Sequence, residues 1–361
     1  MSLTEAKIID ALRNVIDPDL KRDIVTLGMV KNVEIVGNDV SIVVELTTPA
    51  CPLREELEQR CREAVLEVPG VSIVNLEMTA KVRARKSGAN QPEPIPGVKN
   101  VIAIASGKGG VGKSTVSANI ACVLAQLGAK VGLLDADIYG PSIPIIMGVE
   151  DEKPGVFERG NQDPLIVPIE KYGVKIMSMG FLQPSGAAVI WRGPMVAKAV
   201  NQFLREVKWD DIDYLIVDLP PGTGDAQLTL AQAIPLSGAV VVMTPQDLAA
   251  AIAVKAIAMF RRLNVPILGV IENMSYFLCP NCNSRHHIFS HGGGAQAAEG
   301  LQAPFLGEIP LVSDIGTQAG DGTPTVVIDP EGPFSRIFRE IAEKIAAQIS
   351  IRTEESTALE M

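Results

Sequence analysis

The chain is poor in aromatic side chains, which make up 4% of its 361 residues, and it has only three histidines and five cysteines. So few rings argue against a stacking platform for single-stranded nucleic acid. A basic excess is missing too. The formal net charge is −10, so a phosphate backbone would be repelled overall. No apolar run approaches the roughly 20 residues that a membrane span requires. The opening MSLTEAKIIDALRNVI lacks the basic start, apolar block and small-residue cleavage site of an export signal. It reads instead as an amphipathic helix with Ile8, Ile9, Leu12 and Val15 on one face. The expected setting is a reducing cytoplasm with neither nucleic acid nor membrane as partner, where spaced cysteines bind metal or do redox chemistry.

What is present is an ordinary globular composition, 47% apolar and 20% charged, long enough for two domains. Residues 1–80 read as a small α+β domain. A helix ends near Asp17-Pro18, strand patterns follow at 30–36 and 40–46, a helix at 52–67 and a strand at 71–78. Residues 81–97, KVRARKSGANQPEPIPG, lose all apolar period and read as a linker, with Lys81, Arg83, Arg85 and Lys86 as a solvated tether. From Val98 to residue 350 unbroken apolar runs recur at 98–105, 131–134, 214–217, 239–243 and 267–271, separated by helical stretches. That pattern marks an α/β domain with a mostly parallel sheet buried on both faces by helices. An amphipathic helix is expected at 334–349 and a polar, disordered tail at 351–361.

The chemistry concentrates after the first of those runs. The segment Gly107-Lys108-Gly109-Gly110-Val111-Gly112-Lys113-Ser114-Thr115 is a GxxxxGK[ST] phosphate loop, with a strand before it and a helix after. Glycines let successive N–H groups face an anion, and the helix N-terminus adds its positive end. Lys113 would neutralise β- and γ-phosphate charge, and Ser114 would ligate Mg²⁺. The same stretch also satisfies a dinucleotide fingerprint through Gly107, Gly109 and Gly112. Lys113-Ser114 decides against it, because a dinucleotide has no use for that lysine. Two further strands end in acids. Asp135-Ala136-Asp137 follows one, and Asp218 follows the other at the position of a Mg²⁺-supporting carboxylate. Asn273-Met274-Ser275-Tyr276 stands where a guanine reader would carry Asn-Lys-x-Asp, which favours ATP.

Lys108 adds a resemblance. GKGGVGKS is similar to the deviant Walker A loop of the MinD/ParA/nitrogenase-iron-protein class, over about residues 98–350. With LDADIYGPS, DLPPGTGD and a later CxxC, the chain resembles more closely the Mrp/ApbC branch, the iron–sulfur cluster carrier ATPases. The first domain, with TTPACPL around Cys51, resembles the small iron–sulfur-assembly domain often fused to that branch. The resemblance implies a P-loop NTPase fold and slow ATP hydrolysis in a homodimer. It also implies that Lys108 acts on the partner's nucleotide, Asp137 positions the attacking water, Asp218 supports Mg²⁺ and Asn273 contacts adenine.

Cys279-Pro280-Asn281-Cys282 brings two thiolates to one face, but two ligands do not close a tetrahedral site. A symmetric dimer would supply four, which suits a [4Fe–4S] cluster. One chain could instead recruit His286, His287 or His291 for zinc, or the pair could be redox-active or inert. Cys51, at a helix start, is a candidate reactive thiol; Cys61 and Cys122 read as core thiols. The expected function is therefore an ATP-dependent carrier that passes a cluster to apo iron–sulfur proteins, with a scaffold protein as a further partner. The rivals are a positioning or partition ATPase and a zinc-holding regulatory ATPase.

Overall fold

The computed structural model describes residues 3–85, 92–160, 162–182, 193–282, 284–289, 292–312, 315–316 and 320–358. It divides into two compact units, one of residues 1–83 with 346–361 and one of residues 84–345.

In the smaller unit, α1 (Glu5–Leu12) precedes a short ladder of β1 (Ile16–Asp17) and β2 (Arg22–Asp23). Then come β3 (Val30–Val36), β4 (Asp39–Leu46), α2 (Arg54–Leu66) and β5 (Ile73–Ala80). β3 and β4 pair antiparallel, while β4 and β5 pair parallel with α2 as the crossover. Strict alternation in β4 turns Val40, Ile42, Val44 and Leu46 inward, where they meet Ile8 and Leu12 of α1 and Leu57, Cys61 and Val65 of α2. Each such buried aliphatic side chain contributes roughly 1.5–3 kcal/mol.

The larger unit starts with β6 (Val98–Ser106), α3 (Lys113–Gln126) and β7 (Val131–Asp135), followed by the one-turn α4 (Ile143–Ile146). The hairpin of β8 (Gly155–Arg159) and β9 (Gln162–Val167) comes next, and then β10 (Ile169–Lys171) and β11 (Val174–Ser178). The chain continues through α5 (Gly193–Arg205), β12 (Ile212–Asp218), α6 (Asp225–Ala233), β13 (Gly238–Met243), α7 (Asp247–Arg262) and β14 (Ile267–Leu278). It ends with β15 (Arg285–His286), α8 (Gly293–Gly300), β16 (Phe305–Leu311), α9 (Thr325–Ile328) and the first half of α10 (Pro333–Ala358), whose residues from 346 on belong to the smaller unit. The main sheet runs β10-β11-β7-β12-β6-β13-β14-β15, with β16 also on β14. Among the described residues of this sheet, only β10 and β15 pair antiparallel, with β11 and β14. Every residue of β7, β12 and β13 is buried, as continuous apolar runs require of a sheet covered on both faces. β6 lies between β12 and β13, so its loop opens at the carboxyl ends of the central strands, where open α/β sheets bind ligands.

Two sequence expectations change. The tail expected to be disordered from 351 continues α10 to Ala358, with Thr353 buried, its hydroxyl donating to Ile349 O at 2.8 Å, and Glu354 2.5 Å from Arg83. The tether arginines are likewise held: Arg83 by that pair, and Arg85 by donating to Ser237 O at 2.7 Å. Lys86 lies outside the described residues. Among the described residues no helix is long and apolar enough to cross a membrane.

Candidate functional site

The loop between β6 and α3 turns on two glycines in the left-handed region, Gly110 (φ 75°) and Gly112 (φ 79°). A side chain at Gly112 is excluded twice. Its φ disfavours one, and a Cβ there would stand 2.3 Å from Asn273 Nδ2. α3 begins at Lys113 with no side-chain cap, so its first N–H groups face the loop's concavity. The cleft over this end is about 330 Å³, lined by Ser106 and residues 108–115 with Asp137, Gly140, Ser142, Ile146 and Pro221.

At the foot of the cleft Lys113, almost fully buried, donates to Asp218 Oδ2 at 2.6 Å, and its Nζ is 3.9 Å from Asp137 Oδ2. Ser114 Oγ donates to the same Asp218 Oδ2 at 2.6 Å, and Ser117 Oγ donates to Oδ1 at 2.6 Å. Asp218 thus has a cation and two hydroxyls as partners, which offset the cost of burying its carboxyl group. The fit to a magnesium ion is good: a serine hydroxyl and a carboxylate oxygen lie side by side at the loop's foot, the hard oxygen donors that ion takes.

Asp135, also fully buried, accepts hydrogen bonds from Ser178 Oγ (2.9 Å), Asp137 N (3.1 Å) and Ile143 N (3.2 Å). Burial, with the neighbouring Asp218 charge, pushes its carboxyl up to about 7. Burial likewise raises Asp137, and Asp218 adds to the rise while Lys113 opposes it. Asp137 Oδ1 accepts Gly140 N at 3.3 Å, so the carboxylate is fixed at the cleft wall beside Lys113.

Asn273 is buried under the phosphate loop, its Nδ2 donating to Val111 O at 2.8 Å. Lys108 lies at the cleft rim with its ammonium 2.6 Å from Gln246 Oε1. Sequence reasoning missed Ser117, Ser178 and Gln246. Ser117 had a signal, since it lies four residues after Lys113 and so on the same helical face.

The cysteine pair sits at the turn between β14 and β15, where Phe277 and Leu278 pair with His286 and Arg285. Cys279 is half-buried and Cys282 exposed. Cys282 Sγ is 2.9 Å from Ser284 Oγ, which in turn is 2.8 Å from His286 Nε2. Ser284, first by its side chain and then by its backbone, and next Cys279, hold the Cys282 thiol below its ordinary range. Burial pushes Cys61 and Cys122 up to about 12, as inert core thiols. His291 lies outside the described residues. Among the described residues no three His, Cys, Asp or Glu side chains gather to hold a metal.

A glycine-turned loop at the end of a central parallel strand, an inward lysine and a strand-end aspartate sharing oxygen donors define a P-loop NTPase. The comparisons with known proteins agree. The family model for the NUBPL iron-transfer P-loop NTPases matches residues 97–346, and that for the iron-sulfur cluster assembly proteins matches residues 5–77. The chain belongs to the NUBPL-type iron-transfer P-loop NTPase family. It is 48% identical over 346 residues to an iron-sulfur cluster carrier protein of Deinococcus radiodurans, covering 96% of each chain. A protein of the same name from Escherichia coli K12 is 43% identical over 95% of this chain and 92% of its own. Among solved structures, a nucleotide-binding protein of Archaeoglobus fulgidus in complex with ADP is 40% identical, with a TM-score of 0.58, covering 67% of this chain and 92% of its own. The cell division ATPase MinD of Pyrococcus furiosus, 20% identical over 68% of this chain and 98% of its own with a TM-score of 0.50, shares the fold.

Proposed function

We propose that the chain is an ATP-dependent carrier that holds a [4Fe–4S] cluster between two copies of itself and passes it to apo-proteins. One observation carries this reading: a single strand joins the two sites. β14 places Asn273 against Val111 of the phosphate loop and, six residues on, delivers Cys279 to the hairpin turn. Between them Met274 adopts a left-handed φ of 56°, and the pairing with β16 slips between Asn273 and Phe277. A left-handed residue and a register slip on a strand that joins two sites suit a coupling element. The names of the relatives support the cargo.

Within the cleft, Lys113 exchanges Asp218 for phosphate oxygens when ATP enters. Ser114 and Asp218 would hold Mg²⁺, which neutralises charge on the phosphates when bound. Asp137, its carboxyl raised above the ordinary aspartate value by burial, orients the attacking water and takes up its proton. Lys108 reaches the nucleotide of the second copy. Asn273 braces the loop. The cluster is cargo: Cys279 and Cys282 of each copy supply four thiolates together, and the exposed hairpin leaves the cluster open to an acceptor. The small unit, matched by the assembly-protein model, is where acceptors or a scaffold protein dock.

Substituting Cys279 and Cys282 by Ala tests the reading. Reconstituted iron is expected to be lost while MgATP hydrolysis persists; unchanged iron content would end it.

A further inference from the structure

The second lysine of the phosphate loop is not loose at the cleft rim. Adjacent strands β6 and β13 pair Ser106 with Val242. Just past those ends, Lys108 Nζ donates to Gln246 Oε1 at 2.6 Å. Each end of this contact is braced. Ser106 Oγ donates to Lys108 O at 3.0 Å, and Thr244 Oγ1 donates to Gln246 Oε1 at 3.2 Å. Among the described residues Lys108 makes no ion pair, so a neutral amide oxygen is what holds this ammonium.

The choice of acceptor has a physical consequence. A neutral carbonyl oxygen holds an ammonium firmly enough to fix its direction, yet far less strongly than a phosphate oxygen does. A carboxylate at the same place would compete with phosphate on equal terms. We propose that Gln246 is the positioning residue of Lys108: it holds the lysine along the rim in the single chain and yields it to the phosphate of a nucleotide carried by a second copy. This rests on the reading that Lys108 acts across a dimer. Gln246 thereby sets how much of the dimerisation free energy is spent on extracting the lysine, and so the protein concentration at which the MgATP dimer forms.

The two substitutions at this residue act in opposite directions. Gln246→Glu gives Lys108 an ionic partner in its own chain, and the half-dimerisation concentration at saturating MgATP is expected to rise about tenfold. Gln246→Leu removes the acceptor at similar volume, and that concentration is expected to fall roughly fivefold. The experiment is sedimentation velocity of the full chain over a concentration series with saturating MgATP. Saturation is checked by nucleotide titration of each variant and folding by circular dichroism, and Lys108→Ala is run alongside. Opposite shifts for the two Gln246 variants support the proposal, because a merely structural role would move both the same way. Lys108→Ala weakening the dimer while neither Gln246 variant moves it, or both moving it in one direction, overturns the role of Gln246 alone. A dimer indifferent to Lys108→Ala overturns the cross-dimer reading and the proposal with it.

Discussion

Lys113 Nζ lies 2.6 Å from Asp218 Oδ2, with the carboxylate fully buried and the lysine nearly so. The lysine proposed to bind phosphate is thus paired with the aspartate proposed to support Mg²⁺. Lys113→Met leaves Asp218 with two hydroxyl donors and no cation, a change worth about 3 kcal/mol of stability. Urea unfolding of the variant should show that loss, and a nucleotide titration should show no binding. Lys113→Met with Asp218→Asn should regain most of the stability and none of the binding. Equal stability for Lys113→Met and the parent would refute a structural role for the pair.

Gly112→Ala is expected to abolish MgATP binding, since its Cβ would meet Asn273 Nδ2 at 2.3 Å in a left-handed backbone. Asn273→Ala removes the obstacle but not the backbone strain of roughly 1 kcal/mol. The double variant should therefore bind measurably, though more weakly than Asn273→Ala by itself. Identical loss in the single and double variants would show that φ at Gly112 decides the loop and that the close approach does not.

Asp135 gives the larger unit a pH dependence of definite sign. Its carboxyl sits near 7 in the folded chain and near 4 when unfolded. Between those values the native state holds a proton that the unfolded state has released. Unfolding free energy accordingly falls as pH rises from about 4 to 7, and this contribution levels off above that. Urea midpoints measured across that window should fall for the parent. Asp135→Asn should lower stability at acid pH, through lost acceptor capacity toward Ser178, Asp137 and Ile143, and flatten the slope. An unchanged slope would assign the titration to another carboxyl.

The phosphate loop was legible in the sequence because its chemistry is local. Glycines, lysine and serine fall within nine consecutive residues, and the buried strand before them announces where they sit. Asp137 and Asp218 were legible for a related reason, since a parallel strand's carboxyl end is a fixed address. Asn273 was not. Its partner, the Val111 carbonyl, is 162 residues away, and only the folded sheet brings β14 under the loop. Gln246 stayed hidden likewise, as a neutral side chain whose meaning depends on the neighbouring strand. The misread tail has a different cause. Its polar residues resemble a frayed end, but Ser350 and Thr353 are buried and Glu354 faces Arg83, so tertiary contacts carry the helix where amphipathic pattern does not.

The central claim is that the cysteine hairpin carries an iron–sulfur cluster shared by two chains. An anaerobic iron, sulfide and zinc assay after cluster reconstitution, read per chain alongside the oligomeric state, tests it most directly. About two iron and two sulfide per chain are expected in a dimer, with zinc negligible. One zinc per chain with no iron uptake would contradict it, leaving a P-loop NTPase whose hairpin serves another metal.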